Sequence, residues 1–140
     1  MEAQERQRFL KTSENPDPQL DYVSSLQGAL QAFGHGMPTR VTIQYVPDRA
    51  IVEPAAFGRY LETLSTLEWD SLEALATTIL GDFNNELVTR WVRVAATAPE
   101  ESSPGVGTHE VLVEDRQPDW DNPGLLQRLP AHTVLEPVRL

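Results

Sequence analysis

Cysteine is absent from the 140 residues. That removes disulfides, thiolate metal ligands and a thiol nucleophile from the chemistry open to this chain, and it fits a reducing compartment. Basic residues are also few. Eleven Lys and Arg against twenty-one Asp and Glu give a net charge of −10. The cations are scattered, and an acidic surface repels phosphate backbones and anionic membranes, so neither nucleic acid nor a membrane is expected as a partner. No apolar run approaches the roughly 18 residues of a membrane helix. Met1 to Asn15 are polar and hold no apolar segment of a secretory signal. Cytoplasm is therefore the expected location. No Gly-rich phosphate loop and no Ser/His/Asp nucleophile motif occurs. The histidines, His35, His109 and His132, stand far apart in sequence. His109-Glu110 supplies one pair of ligands where a metal site needs three or four, so no metal is expected.

What is present reads as one soluble domain. Hydrophobic residues make up 40% and charged residues 23%, ordinary proportions for a globular protein of this size. Residues 1–19 are polar, contain Pro16 and Pro18, and are expected as a flexible arm. Residues 117–140 carry Pro118, Pro123, Pro130 and Pro137 and are expected as an extended tail. The domain proper spans residues 20–116.

Within it, Leu20 to Phe33 mixes strand and helix signals, with a strand favoured at its start. Gly34, Gly36 and Pro38 then break the chain. Thr39 to Val46 is the clearest strand, with Val41, Ile43 and Tyr45 on one face and Arg40, Thr42 and Gln44 on the other. Pro54 opens a helix to Leu67, with Phe57, Tyr60, Leu61 and Leu64 as its apolar stripe. Asp70-Ser71-Leu72-Glu73 has the form of a capping box, with Asp70 as cap and Glu73 three residues on. Leu72, Leu75, Ile79, Leu80 and Phe83 continue as a second stripe. Leu87 to Thr97 and Thr108 to Glu114 read as strands on either side of a Pro/Gly/Ser-rich loop. The order is ββααββ, an α+β pattern: one antiparallel sheet with two helices on one face. Such a unit leaves sheet edges open, which a ring of copies closing a barrel would remove.

This order, and several local segments, resemble the tunnelling fold, and within it the 7-cyano-7-deazaguanine reductase family of queuosine biosynthesis. Tyr45-Val46-Pro47-Asp48 followed by Ile51-Val52-Glu53 is similar to the family's tyrosine-[IV]-proline-aspartate and valine-glutamate-serine segments. Tyr60-Leu61 and Ile79-Leu80-Gly81-Asp82-Phe83 resemble its two helices, and Asp21-Tyr22 a segment of its first strand. The resemblance implies binding of a purine- or pterin-like heterocycle at a subunit interface. Glu53 falls on the glutamate that recognises the heterocycle, and Glu73 on a second one. A carboxylate suits that task because it accepts two N–H donors from a guanine-like edge. Each glutamate also has a purely local reading: Glu53 as a carboxylate favoured by a helix N-terminus, Glu73 as a cap partner.

The family's chemistry does not carry over. Its catalytic cysteine falls on Leu30, its catalytic aspartate on Met37, and its histidine on Leu72. None of these side chains attacks a nitrile carbon or moves a proton. Where the family has an arginine-glycine-glycine segment linked to NADPH, this chain has Pro99-Glu100-Glu101-Ser102-Ser103, so no cofactor is expected. The expected function is heterocycle binding by a homo-oligomer without nitrile reductase activity. Two alternatives stay open. One is an enzyme of different, cysteine-independent chemistry using His35, between Gly34 and Gly36, and the two glutamates Glu53 and Glu73 as acid and base. The other is a structural or regulatory subunit whose pocket is closed by Leu30, Met37 and Leu72. Trp69 is a candidate pocket wall, Trp91 a candidate core residue, and Trp120 a candidate anchor on a neighbouring subunit. Glu114, Asp119 and Asp121 lack calcium-loop spacing and read as a solvated acidic face.

Overall fold

The computed structural model describes residues 1–33 and 36–129. In chain order the elements are α1 (Ala3–Gln7), β1 (Thr12–Glu14), β2 (Ser24–Leu30), β3 (Thr39–Val46), β4 (Ala50–Val52), α2 (Pro54–Leu64), α3 (Leu72–Leu87), β5 (Trp91–Thr97), β6 (Glu110–Arg116) and α4 (Pro123–Gln127). The ββααββ order read from the sequence is its backbone, with four short elements added. β2, β3, β5 and β6 form one antiparallel sheet in that spatial order, and β1 pairs with β4 in a two-stranded ribbon. The alternation predicted for β3 is what packs it. Val41, Ile43 and Tyr45 are buried toward the helices, opposite Ala96, Val94 and Val92 of β5.

α2 and α3 cover that face. Their buried residues, Phe57, Tyr60, Leu61 and Leu64 on α2 and Leu72, Leu75, Ile79 and Phe83 on α3, are the stripes set by helical periodicity. Phe83 sits at the centre, edge-on to Tyr45, Phe57 and Tyr60 with ring centroids 6.1, 6.2 and 6.4 Å away. This is the favoured aromatic geometry, worth about 0.5–1.5 kcal/mol per pair beyond area burial. Gly28 lets α2 approach β2. A Cβ built there would collide with Leu61 Cδ1 and press on Phe57 Cε2 at 3.3 Å.

The N-terminal segment is not a loose arm. Leu10 is 1% exposed within the core, and β1 holds β4 in register from Thr12 opposite Val52. The physical reason is Asp82. Buried on α3, its carboxylate needs donors. It receives Arg6 Nε (2.9 Å), Arg6 Nη2 (3.0 Å), Gln7 Nε2 (3.0 Å) and the Tyr60 hydroxyl (2.6 Å). Two of the three donor residues belong to α1, so the buried charge pins the N-terminus to the helices.

The C-terminal segment also departs from the extended tail expected, as far as residue 129. Asn122 caps α4, accepting the Leu125 N–H at 3.1 Å. Trp120, expected against a neighbouring subunit, docks on its own chain, its indole N–H donating to Asp21 Oδ2 at 3.1 Å. Arg90 explains this. It donates to Asp21 (3.0 Å), Asp48 (3.2 Å) and the carbonyl of Pro18, and Gln117 adds a hydrogen bond to Asp48 at 3.2 Å. Burial alone would raise the Asp21 carboxyl, but hydrogen bonds from Asn122, Trp120 and Arg90 outweigh it and hold the group below its ordinary range.

Several boundaries differ from the sequence reading: β2 occupies Ser24–Leu30 rather than the start of the segment from Leu20, α2 ends at Leu64 rather than Leu67, and β6 runs Glu110–Arg116 rather than Thr108 to Glu114. Ser71, not Asp70, caps α3, its Oγ accepting the Ala74 N–H at 2.9 Å. Glu73 thus lies in the first turn without closing a capping box. β5 starts at Trp91, because Val88 takes a left-handed conformation (φ 49°, ψ 56°) that ends α3. Among the described residues, no helix is long and apolar enough to cross a membrane.

Candidate functional site

One end of the sheet meets the N-terminus of α3. Register places this end. Thr39 opens β3 opposite Leu30, and Thr97 of β5 lies opposite Glu110 of β6. Beyond that pair the Ala98 N–H still donates to the His109 carbonyl at 2.9 Å, which carries His109 over the first turn of α3. The loop leaving β5 folds back on itself, with Ser102 N–H donating to the Pro99 carbonyl at 3.2 Å and Glu101 N–H to the Gly107 carbonyl at 3.2 Å. Glu101 adopts φ 57° there.

These elements enclose a groove of about 620 Å³, within the range typical of small-molecule sites. Phe33 and Met37, both in the loop between β2 and β3, supply apolar side chains to the lining along with Leu72. Asp70, the cap Ser71 and Glu73 line it from the N-terminal end of α3, and Glu100 to Ser103 from the loop leaving β5, with Thr39, Ala98 and Pro99 also in the lining. His109 Nε2 stands 3.4 Å from Glu73 Oε2 across the groove. A carboxylate beside a histidine, in a groove also lined by Ser102 and Ser103, can accept N–H donors, and the hydroxyls can donate in return. Among the described residues no three His, Asp or Glu side chains converge to hold a metal ion.

Of the residues singled out in the sequence, Glu73 lines this groove. Glu53 does not. It precedes α2 at the junction with β4, half-buried, its N–H donating to the Lys11 carbonyl at 3.1 Å and its carbonyl accepting from Phe57 N–H at 3.0 Å. Its side chain makes no cap hydrogen bond. Trp69 is not in the lining either. Its indole N–H is spent on the Leu64 carbonyl at 2.9 Å and its ring packs against the core, where it closes the C-terminal end of α2. His35 lies outside the described residues, as does His132. Trp91 is fully buried, as expected, with its N–H donating to Glu114 at 3.1 Å and Arg93 stacked 5.2 Å from its ring centroid.

The positions on which the resemblance puts the family's reactive residues divide. Leu30 is 3% exposed and belongs to the core, away from the groove lining. Leu72 is also buried and forms part of the groove floor, while Met37 is 75% exposed on its wall. Apolar side chains at these positions have not filled the cavity. Sequence reasoning weighed His109 only as a metal ligand and missed it as the partner of Glu73. The signal was the hairpin register, which sets His109 beside Ala98 and so above α3.

No family model matches the chain. It is 30% identical over 131 residues, 89% of either chain, to NADPH-dependent 7-cyano-7-deazaguanine reductases from two strains of Acidithiobacillus ferrooxidans, ATCC 53993 and ATCC 23270. Its fold matches the crystal structure of the apo form of the archaeosine synthase QueF-Like, with a TM-score of 0.53 at 17% identity. That match covers 67% of this chain and 91% of the other.

Proposed function

The chain belongs to the 7-cyano-7-deazaguanine reductase family, and on that premise we propose that it binds a purine- or pterin-like heterocycle without reducing a nitrile. The observation that carries this reading is the groove at the N-terminus of α3, open at about 620 Å³ and holding Glu73. The resemblance puts the family's second site glutamate on that residue, and its heterocycle-recognising glutamate on Glu53. Glu73 accepts two N–H donors from a guanine-like edge, a charge-assisted pair. His109, Ser102 and Ser103 supply complementary donors and acceptors, and Phe33 and Met37 an apolar face for the ring.

Reduction is a different matter. Thioimide formation requires a thiolate to attack the nitrile carbon, and the chain has no cysteine. Leu30, at the nucleophile's position, is sealed in the core. The loop at the NADPH-linked segment presents Glu100 and Glu101, which repel a cofactor phosphate. The open groove favours a binding role over a closed structural subunit.

Glu53 enters only through assembly. β2 and β6 are the outer strands of the sheet, and edge-to-edge pairing of copies would close a barrel without exposed edges. In the homo-oligomer proposed here, a neighbouring copy brings Glu53 to the groove of the first. The acidic net charge supports neither nucleic acid nor a membrane as partner.

Native mass spectrometry of protein purified gently from its source tests the reading. The expected result is a ring-sized oligomer that releases a purine or pterin on denaturation. A ligand-free monomer that also fails to take up added 7-deazaguanine would overturn it.

A further inference from the structure

The chain after β6 is held differently from what precedes it. From Gln117 it crosses one end of the sheet, where β2 and β5 begin and β3 and β6 end, to reach the residues just before β2. This is the end opposite the groove. Hydrogen bonds fasten the crossing at two places. At the first, the Gln117 N–H donates to the Arg90 carbonyl at 3.0 Å, and its side-chain amide to the Val88 carbonyl at 3.1 Å and to Asp48 Oδ2 at 3.2 Å. The second is a single carboxylate. Asp21 Oδ2 accepts the Trp120 indole N–H at 3.1 Å and the Asn122 amide at 3.0 Å, while Oδ1 accepts Arg90 Nη1 at 3.0 Å. Asn122 also caps α4. No residue from 117 to 129 is buried, and a helix as short as α4 does not persist alone in water. Arg116 reaches Asp121 at 2.9 Å, but 40% and 66% of these side chains are exposed, where an ion pair contributes little.

We propose that residues 117–129 form a strap that opens as a unit while the sheet and its two helices stay folded, and that the charge on Asp21 keeps it shut. An ionised carboxylate is an acceptor on every side, which suits a point where Trp120, Asn122 and Arg90 all donate. A neutral acid or amide would turn a donor toward donors. Exposed hydrogen bonds and few buried apolar contacts mark segments that open below the free energy of global unfolding. The core is built the other way: Val92, Val94 and Ala96 of β5 are fully buried beneath the helices. Opening frees α4 to unwind and bares the Trp120 indole. Arg90 is the charged group that meets Asp21; it also pairs with Asp48 at 3.2 Å, and Arg116 pairs with Asp121 on the strap itself. Burial raises the Asp21 carboxyl, and the hydrogen bonds from Asn122, Trp120 and Arg90 more than offset this. With the closed-state value lowered, the latch is complete above the ordinary carboxylate range, about pH 4, and is lost as the pH falls through the lowered value.

Hydrogen exchange of the isotope-labelled full chain, read residue by residue by NMR at neutral pH, tests the proposal. In the wild type the amides of Leu125, Leu126 and Arg128 should be at least about tenfold less protected than those of Val92 and Val94. Asp21→Asn should lower the strap's protection by a further factor of at least about ten and leave β5 unchanged. Trp120→Phe removes one donor to Asp21, keeps a ring, and should act in the same direction, so the latch is tested even if Asp21→Asn misfolds. Equal protection of strap and β5 in the wild type would mean that the segment opens only with the whole chain. Strap amides unmoved by Asp21→Asn, or by Trp120→Phe where that variant alone folds, would mean that Asp21 does not hold it. Either result overturns the proposal.

Discussion

Arg6 and Asp82, seventy-six residues apart, join at 2.9 Å through Arg6 Nε and Asp82 Oδ2, with only 2% of the Asp82 side chain exposed. This contact fastens the first helix to the middle of the third. The guanidinium is held above its ordinary pKa chiefly by the hydrogen bonds it donates to Asp82, against the opposing effect of burial.

Asp82→Ala is expected to cost about 3 kcal/mol, the low end for a broken buried pair. Arg6 is 15% exposed and regains some hydration, but Gln7 and Tyr60 lose their acceptor. Urea denaturation measures the change. A loss under about 1 kcal/mol would show that the N-terminal segment is not anchored as described.

Stability should fall at alkaline pH. Burial first, and then the Asp82 carboxylate, hold the Tyr60 phenol well above its ordinary range, and burial raises Tyr45 as well. The folded state keeps protons that the unfolded chain gives up near pH 10. With folded pKa values raised, their contribution is complete below about pH 10 and is lost as the pH climbs through the folded values, by up to about 1.4 kcal/mol per unit for each group. Denaturation between pH 8 and pH 11 checks this, and a flat profile would contradict it.

Gly28→Ala should destabilise by about 1–3 kcal/mol, as overpacking does. The added methyl meets Leu61 Cδ1 where α2 crosses β2. A neutral result in thermal unfolding would mean that Leu61 has room to turn aside.

Val88→Gly should stabilise by about 1 kcal/mol. A β-branched residue at φ 49° is strained, and its side chain is exposed and contributes little packing. Its carbonyl, which accepts from Gln117 Nε2 at 3.1 Å, is kept by the substitution. An unchanged midpoint would place the strain elsewhere.

Five of the six elements of the ββααββ unit were legible because their apolar periods are clean: Val41, Ile43 and Tyr45 at two, Phe57, Tyr60, Leu61 and Leu64 at three and four. β2 was not, because Leu20 to Phe33 mixes both periods and the strand lies at Ser24–Leu30 rather than at its start. The additions were not, since their order depends on partners distant in sequence. Nothing near Arg6 announces Asp82, and Trp120 finds Asp21 ninety-nine positions away. The α3 cap was read one residue early because Asp70 and Ser71 are both good caps, and only the backbone decides between them. At the site, Glu73 was legible through the family resemblance. The loop of Glu100 and Glu101 was noted only for what it lacked, and its place opposite α3 follows from how β5 turns into β6. Trp69 had no local sign that its N–H would be taken by Leu64.

The central claim is that Glu73 anchors a heterocycle in the groove. Calorimetric titration of 7-deazaguanine into the wild-type chain and into Glu73→Gln tests it most directly. Glu73 is exposed, and its side chain reaches only His109 among the described residues, so the fold should survive the change. Loss of a charge-assisted contact to two N–H donors predicts at least about tenfold weaker binding in the variant. Equal affinity for the two proteins would contradict the account.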